Sequence, residues 1–192
     1  MRNSQRLLVL LGGLALSAAV CPPSQAQTVI LDARVLESVT VNVTGGATVN
    51  FALRPNTAAN AGSTTSTIRT AWVLRRGRTR VSVWAWVPKG AAALTDGAGD
   101  NIPASAVTAT AAGSGSAGGA LNTVASGGAG VPAFITPAAA TGVQIGQIRI
   151  NRRNRTGNTA TTLTWNINTT GVPQLPAATY TGTVNIQAQA TP

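Results

Sequence analysis

Between Thr179 and Ala190 the residues alternate: Tyr180, Gly182, Val184, Ile186, Ala188 and Ala190 are interleaved with Thr179, Thr181, Thr183, Asn185, Gln187 and Gln189. Successive side chains of an extended chain point to opposite faces. As a strand this stretch has one apolar and one polar face; as a helix its apolar groups would be scattered. The preceding segment repeats the pattern, with Leu163, Trp165 and Ile167 set against Thr162, Thr164 and Asn166. Strands that are apolar on one face must be covered by a second layer, and the alternation predicts an all-β, antiparallel β-sandwich.

The rest of the chain fits that plan. Residues 28–35 and 38–43 read as strands, the second carrying Val39, Val41 and Val43 on one face. Gly45-Gly46 is a turn pair, and residues 47–53, with Val49, Phe51 and Leu53 in phase, are expected to return as a hairpin. Residues 66–74 place Ile68, Trp72 and Leu74 on one face, and residues 80–87 alternate Val81, Val83, Ala85 and Val87 with Arg80, Ser82, Trp84 and Trp86. The turn Arg75-Arg76-Gly77-Arg78 between them predicts a second hairpin at the centre of the sandwich.

Residues 88–103 read as a connection with a short edge segment at Ala92-Ala93-Leu94, and residues 102–111 as a weak strand. Residues 113–130, rich in Gly, Ala and Ser, are expected to form a flexible surface loop around a marginal strand at 120–124. In residues 142–150, Val143 and Ile145 share one parity and Ile148 and Ile150 the other, which predicts a β-bulge at Gly146-Gln147. The total is about eight or nine strands. The last is expected to pair centrally or beside the first, with the Tyr180 ring over the gap left by Gly182.

The N-terminus sets the expected compartment. Arg2 and Arg6 precede an apolar run over residues 7–20, Pro22 and Pro23 break it, and Ser24-Gln25-Ala26 offers small residues for cleavage. Residues 1–26 are therefore expected to be a signal peptide, leaving 27–192 as one exported domain with no transmembrane segment. The destination is the periplasm, the outer surface or the medium. The competing reading, a lipoprotein acylated on Cys21, meets Val20 where that pathway requires a small residue. Cys21 is the only cysteine and leaves with the signal, so stability is expected from packing and sheet hydrogen bonds alone.

Composition then removes most chemistry. The chain holds no His, and residues 27–192 hold no Cys, which excludes an imidazole base, a Cys–His pair and the usual zinc sites. No enzymatic activity and no cofactor are expected. Of the four acids, Asp32, Glu37, Asp96 and Asp100, only the last two are close, in a Gly-rich turn. With Asn101 they are candidate Ca²⁺ ligands; the competing role is to shape the turn.

The basic residues are more informative. Fourteen Lys+Arg stand against four acids, and seven arginines crowd two turns: Arg75, Arg76, Arg78 and Arg80 in one, Arg152, Arg153 and Arg155 in the other. If both turns lie at one end they form an anion-binding patch for phosphate or carboxylate polymers, such as lipopolysaccharide, acidic surface polysaccharide or nucleic acid, although no specific nucleic-acid motif is present. The alternative is solvated turn charge that serves solubility and discourages edge-to-edge aggregation. Trp84 and Trp86 share a face and are either a glycan-stacking platform or packing beneath a covering loop.

The segment Leu175-Pro176-Ala177-Ala178-Thr179-Tyr180-Thr181-Gly182-Thr183-Val184 resembles the closing motif of exported bacterial β-sandwich proteins of the spore-coat-protein-U-like and related pilin-like families. The resemblance implies an immunoglobulin-like or pilin-like sandwich, and a surface or fibre subunit assembled by donor-strand exchange with copies of itself or other envelope subunits. Residues 28–35 are the candidate donor; unlike that type, residues 27–192 have no cysteine. The expected function is thus a non-enzymatic structural or adhesive protein of the bacterial envelope. The alternative is a secreted binding module for an anionic polymer or glycan.

Overall fold

Most of the alternating segments become strands. The structure, a computed structural model, describes residues 36–113, 115–172 and 175–192. The expected signal peptide, Cys21 and the strand at 28–35 lie outside the described residues. Seven strands are long: β1 (Ser38–Gly45), β3 (Ser66–Val73), β4 (Arg80–Val87), β7 (Val107–Gly113), β10 (Thr141–Arg149), β11 (Thr156–Ile167) and β12 (Asn185–Thr191). Five have only two or three residues: β2 (Asn60–Ala61), β5 (Leu94–Thr95), β6 (Asn101–Ile102), β8 (Gly118–Ala120) and β9 (Val124–Ala125). These short strands raise the total above the eight or nine expected. Among the described residues no helix is long and apolar enough to cross a membrane.

One sheet runs β1-β3-β11-β7-β8, with β2 also paired to β11; the other runs β12-β4-β10-β9, and β5-β6 stand apart. Every pairing is antiparallel. The inner faces meet in a core of Ile68, Leu163, Trp165 and Ile167 from the first sheet and Val83, Ala85, Val87, Val143 and Ile145 from the second. Full burial of each aliphatic side chain contributes roughly 1.5–3 kcal/mol. The antiparallel sandwich and the inward phase of these strands agree with the sequence.

Several pairings differ, each because a distant strand wins over a near one. Residues 47–53 do not form a hairpin with β1. Their apolar phase is right, since Val49, Phe51 and Leu53 pack on the core, but β1 takes β3 as its partner. Asn50 and Phe51 bond locally to Ser63 and Gly62 instead. The second expected hairpin is also absent: β3 and β4 lie in different sheets, and residues 74–79 cross between them. β11 and β12 are likewise separated.

The closing strand starts at Asn185, later than predicted; among the described residues it pairs with β4 alone, at the edge of its sheet rather than centrally, and the expected first strand at 28–35 lies outside them. Upstream, Thr181 pairs with Thr95, and Gly182 lies so close to the Ala93 carbonyl that a Cβ would overlap it. That contact, rather than the Tyr180 ring, explains the glycine.

The connection at 88–103 contains the β5–β6 pair. The segment at 113–130 is not a free loop, because Leu121 is fully buried and anchors it to the core between β8 and β9. The bulge in β10 exists, one position earlier than predicted: the register slips between Gln144 and Gly146, and the extra residue, Ile145, points inward.

Candidate functional site

Both arginine turns lie at one end of the sandwich, where the chain crosses between sheets. Residues 74–79 join β3 to β4, and residues 150–155 join β10 to β11. Backbone bonds fasten the two crossings together: Leu74 N–H donates to Arg155 O at 2.8 Å, and Ile150 N–H donates to Thr79 O at 2.7 Å. The second turn is also held from within. Asn154 Oδ1 accepts from Asn151 N–H at 2.6 Å, Asn154 Nδ2 donates to Arg149 O at 2.8 Å, and Asn151 Oδ1 accepts from Arg153 N–H at 2.8 Å. Asn is suited to this work because its amide reproduces a backbone turn contact. Trp72 Nε1 donates to Asn154 O at 2.8 Å and ties the turn to β3.

The seven arginines are not equivalent. Glu37, just before β1, accepts from Arg78 Nε at 2.7 Å and Arg78 Nη2 at 3.1 Å, and pairs with Arg75 Nε at 3.1 Å. The Arg78 hydrogen bonds, with the charges of Arg78 and Arg75, hold the Glu37 carboxyl below its ordinary range against desolvation. The same bond raises Arg78. Arg80 stands on β4 opposite Thr191 and Arg149, and Arg153 is exposed. The remaining three, Arg76, Arg152 and Arg155, line a recess of about 310 Å³. Among the described residues no carboxylate pairs with any of them. Nothing local marks Glu37 as the residue that sorts the cluster, because its partners are more than a strand away in sequence.

The tryptophans are placed differently from a platform. β4 is buried on both faces. Trp84, 7% exposed, packs against Ile135 and Ala140 beneath the segment joining β9 to β10. Trp86 is half-buried against the same cluster and donates its Nε1 to Gln187 Oε1 at 3.0 Å. The two indoles therefore do not present a pair of open ring faces.

Asp96 and Asp100 lie in the β5–β6 turn, and Asn101 opens β6. Asp96 Oδ1 accepts from the N–H groups of Ala98, Gly99 and Asp100 at 2.8, 3.1 and 3.1 Å, and Asn101 Nδ2 donates to Gly99 O at 2.9 Å. These bonds shape the turn. No group of three His, Cys, Asp or Glu side chains that could hold a metal occurs among the described residues. The turn lies near Tyr180, whose phenol is raised by desolvation and then by the charges of Asp100 and Asp96.

A second concavity was not foreseen. A groove of about 1160 Å³ runs between residues 46–56 and residues 175–184, and its floor is the core itself: Ile68, Val107, Leu121, Trp165 and Ile167. It lies on the side where the two sheets present the edge strands β1 and β12, each hydrogen-bonded to one neighbour only among the described residues. Val43, at the end of β1, lines it and is 44% exposed. The signal available in the sequence was the strand-like phase of Val49, Phe51 and Leu53, which has no long partner strand to complete it.

No protein-family model, curated protein or solved structure matches the chain.

Proposed function

We propose that this protein is an exported, non-enzymatic structural or adhesive subunit of the bacterial envelope, and that it assembles by accepting an extended strand along the open side of its sandwich. The observation that carries the reading is the groove. A wide groove stands over the buried core there, with Val43 44% exposed at its rim, beside strands β1 and β12, each of which has a single hydrogen-bonded neighbour among the described residues; folded proteins normally cover such edges. An added strand satisfies both needs at once, supplying backbone hydrogen bonds to an edge and alternate side chains to the floor. The resemblance of residues 175–184 to a pilin-like closing motif supports the same reading, as do the signal-like residues 1–26; the absence of His and Cys from residues 27–192 supports its non-enzymatic part alone, since the pilin-like type carries cysteines there.

The candidate strand is residues 28–35 of another copy, in which Val29, Leu31, Ala33 and Val35 share one parity. Light scattering on residues 27–192 tests this. Concentration-dependent oligomers are expected, reduced to monomers by deleting residues 27–35. A synthetic peptide of residues 27–36 should then bind the shortened chain and raise its Tm. Monomers at every concentration, with no peptide binding, would overturn the proposal.

A further inference from the structure

We infer that the recess between Arg76, Arg152 and Arg155 is a binding site for a phosphate group, carried as a monoester on a larger molecule. This does not depend on strand uptake, since the recess lies at the crossings of residues 74–79 and 150–155 and shares no lining residue with the groove.

Three observations converge. First, the cations are sorted. Glu37 pairs with both Arg75 and Arg78 in the same turn, while Arg76, Arg152 and Arg155 line one concavity with no carboxylate paired to them among the described residues. Like charges gathered on one recess repel, and an anion between them removes that repulsion.

Second, the frame is built in advance. The two crossings are bonded to each other through Leu74–Arg155 and Ile150–Thr79, and the 150–155 turn is clasped by Asn151, Asn154 and Trp72. Binding therefore orders only side chains, which lowers its entropic cost.

Third, the donors select the ligand. Each guanidinium is a planar fork that prefers two acceptor oxygens. A carboxylate has two oxygens and one charge, too few for three forks. A phosphate monoester has three terminal oxygens and nearly two charges at neutral pH. The recess, about 310 Å³, is larger than that group alone and leaves room for the molecule that bears it.

Isothermal titration of the purified protein in about 150 mM NaCl, where long-range attraction is screened, separates this site from bulk positive charge. The probes are glucose 1-phosphate, inorganic phosphate and glucuronate. Saturable binding of glucose 1-phosphate is expected, with inorganic phosphate weaker and glucuronate weaker still.

Two variants remove the same charge from exposed or partly exposed side chains: Arg76→Gln/Arg152→Gln/Arg155→Gln in the recess, and Arg69→Gln/Arg149→Gln/Arg153→Gln outside it. The first should lose affinity at least about tenfold, and the second should stay within about twofold. Equal losses would reduce the site to net charge and overturn the proposal, as would the absence of saturable phosphate binding. Glucuronate binding as tightly as glucose 1-phosphate would assign the recess to carboxylates instead. An unchanged Tm in both variants shows that any loss is one of binding.

Discussion

Trp72 Nε1 donates to the carbonyl oxygen of Asn154 at 2.8 Å, while the same indole lies against Gly157, where a Cβ would come within 2.9 Å of the ring. A side chain in the inward phase of β3 thus fastens the arginine-bearing turn before β11. Trp72→Phe keeps most of the burial and removes the bond. A loss of about 1 kcal/mol in urea unfolding is expected. Faster amide exchange in residues 151–155 should accompany it; exchange unchanged there would show that the turn is held without the indole.

Acid should weaken the protein partly through Glu37. Its carboxyl lies below the ordinary value of 4.5 in the folded protein because of Arg78 and Arg75. The unfolded chain therefore takes up the proton more readily. The stability due to this group is present above pH 4.5 and is lost as the pH falls through the lowered folded value. Glu37→Gln should have a lower Tm than the native protein at about pH 6, and the gap should narrow as the pH falls below 4.5. A constant gap across that range would mean that Glu37 acts by packing alone.

Asn60 is 5% exposed and fully engaged. Its Oδ1 accepts from Arg54 N–H at 2.7 Å, and its Nδ2 donates to Ile167 O at 3.0 Å. Asn60→Ala leaves a donor and an acceptor unpaired at the end of β11, and a loss of about 2 kcal/mol is expected in denaturant titration. A change below about 0.5 kcal/mol would indicate that water replaces both bonds.

Gly182 touches the Ala93 carbonyl, where any Cβ would collide with backbone. Gly182→Ala should destabilise by about 1–3 kcal/mol, because only a shift of backbone, not of a flexible side chain, relieves the overlap. The same substitution should shift residues 180–184, which form one wall of the groove. A native-like Tm would mean that this segment moves without disturbing the sandwich.

The inward face of a strand is legible from its own residues. Ile68, Trp72 and Leu74, then Val81, Val83, Ala85 and Val87, then Leu163, Trp165 and Ile167 are all buried as their alternation predicts. Partners are not legible in this way, because pairing is decided by segments far off in sequence. Residues 47–53 have the right phase, yet β1 pairs with β3. The turn Arg75-Arg76-Gly77-Arg78 has hairpin composition, yet it bridges two sheets. The arginine clusters were visible as clusters, whereas their meeting depends on backbone bonds such as Ile150–Thr79. The groove was invisible because it is bounded by segments, 46–56 and 175–184, that are far apart in the chain.

The position of β4 also sets a timetable. Both of its neighbours, β10 and β12, come long after it, and its outer face waits for Ile135 and Ala140. Until Asn185–Thr191 is available, the four-stranded sheet cannot be completed. Pairing strands so far apart in sequence closes long loops before the contacts repay them, which slows folding.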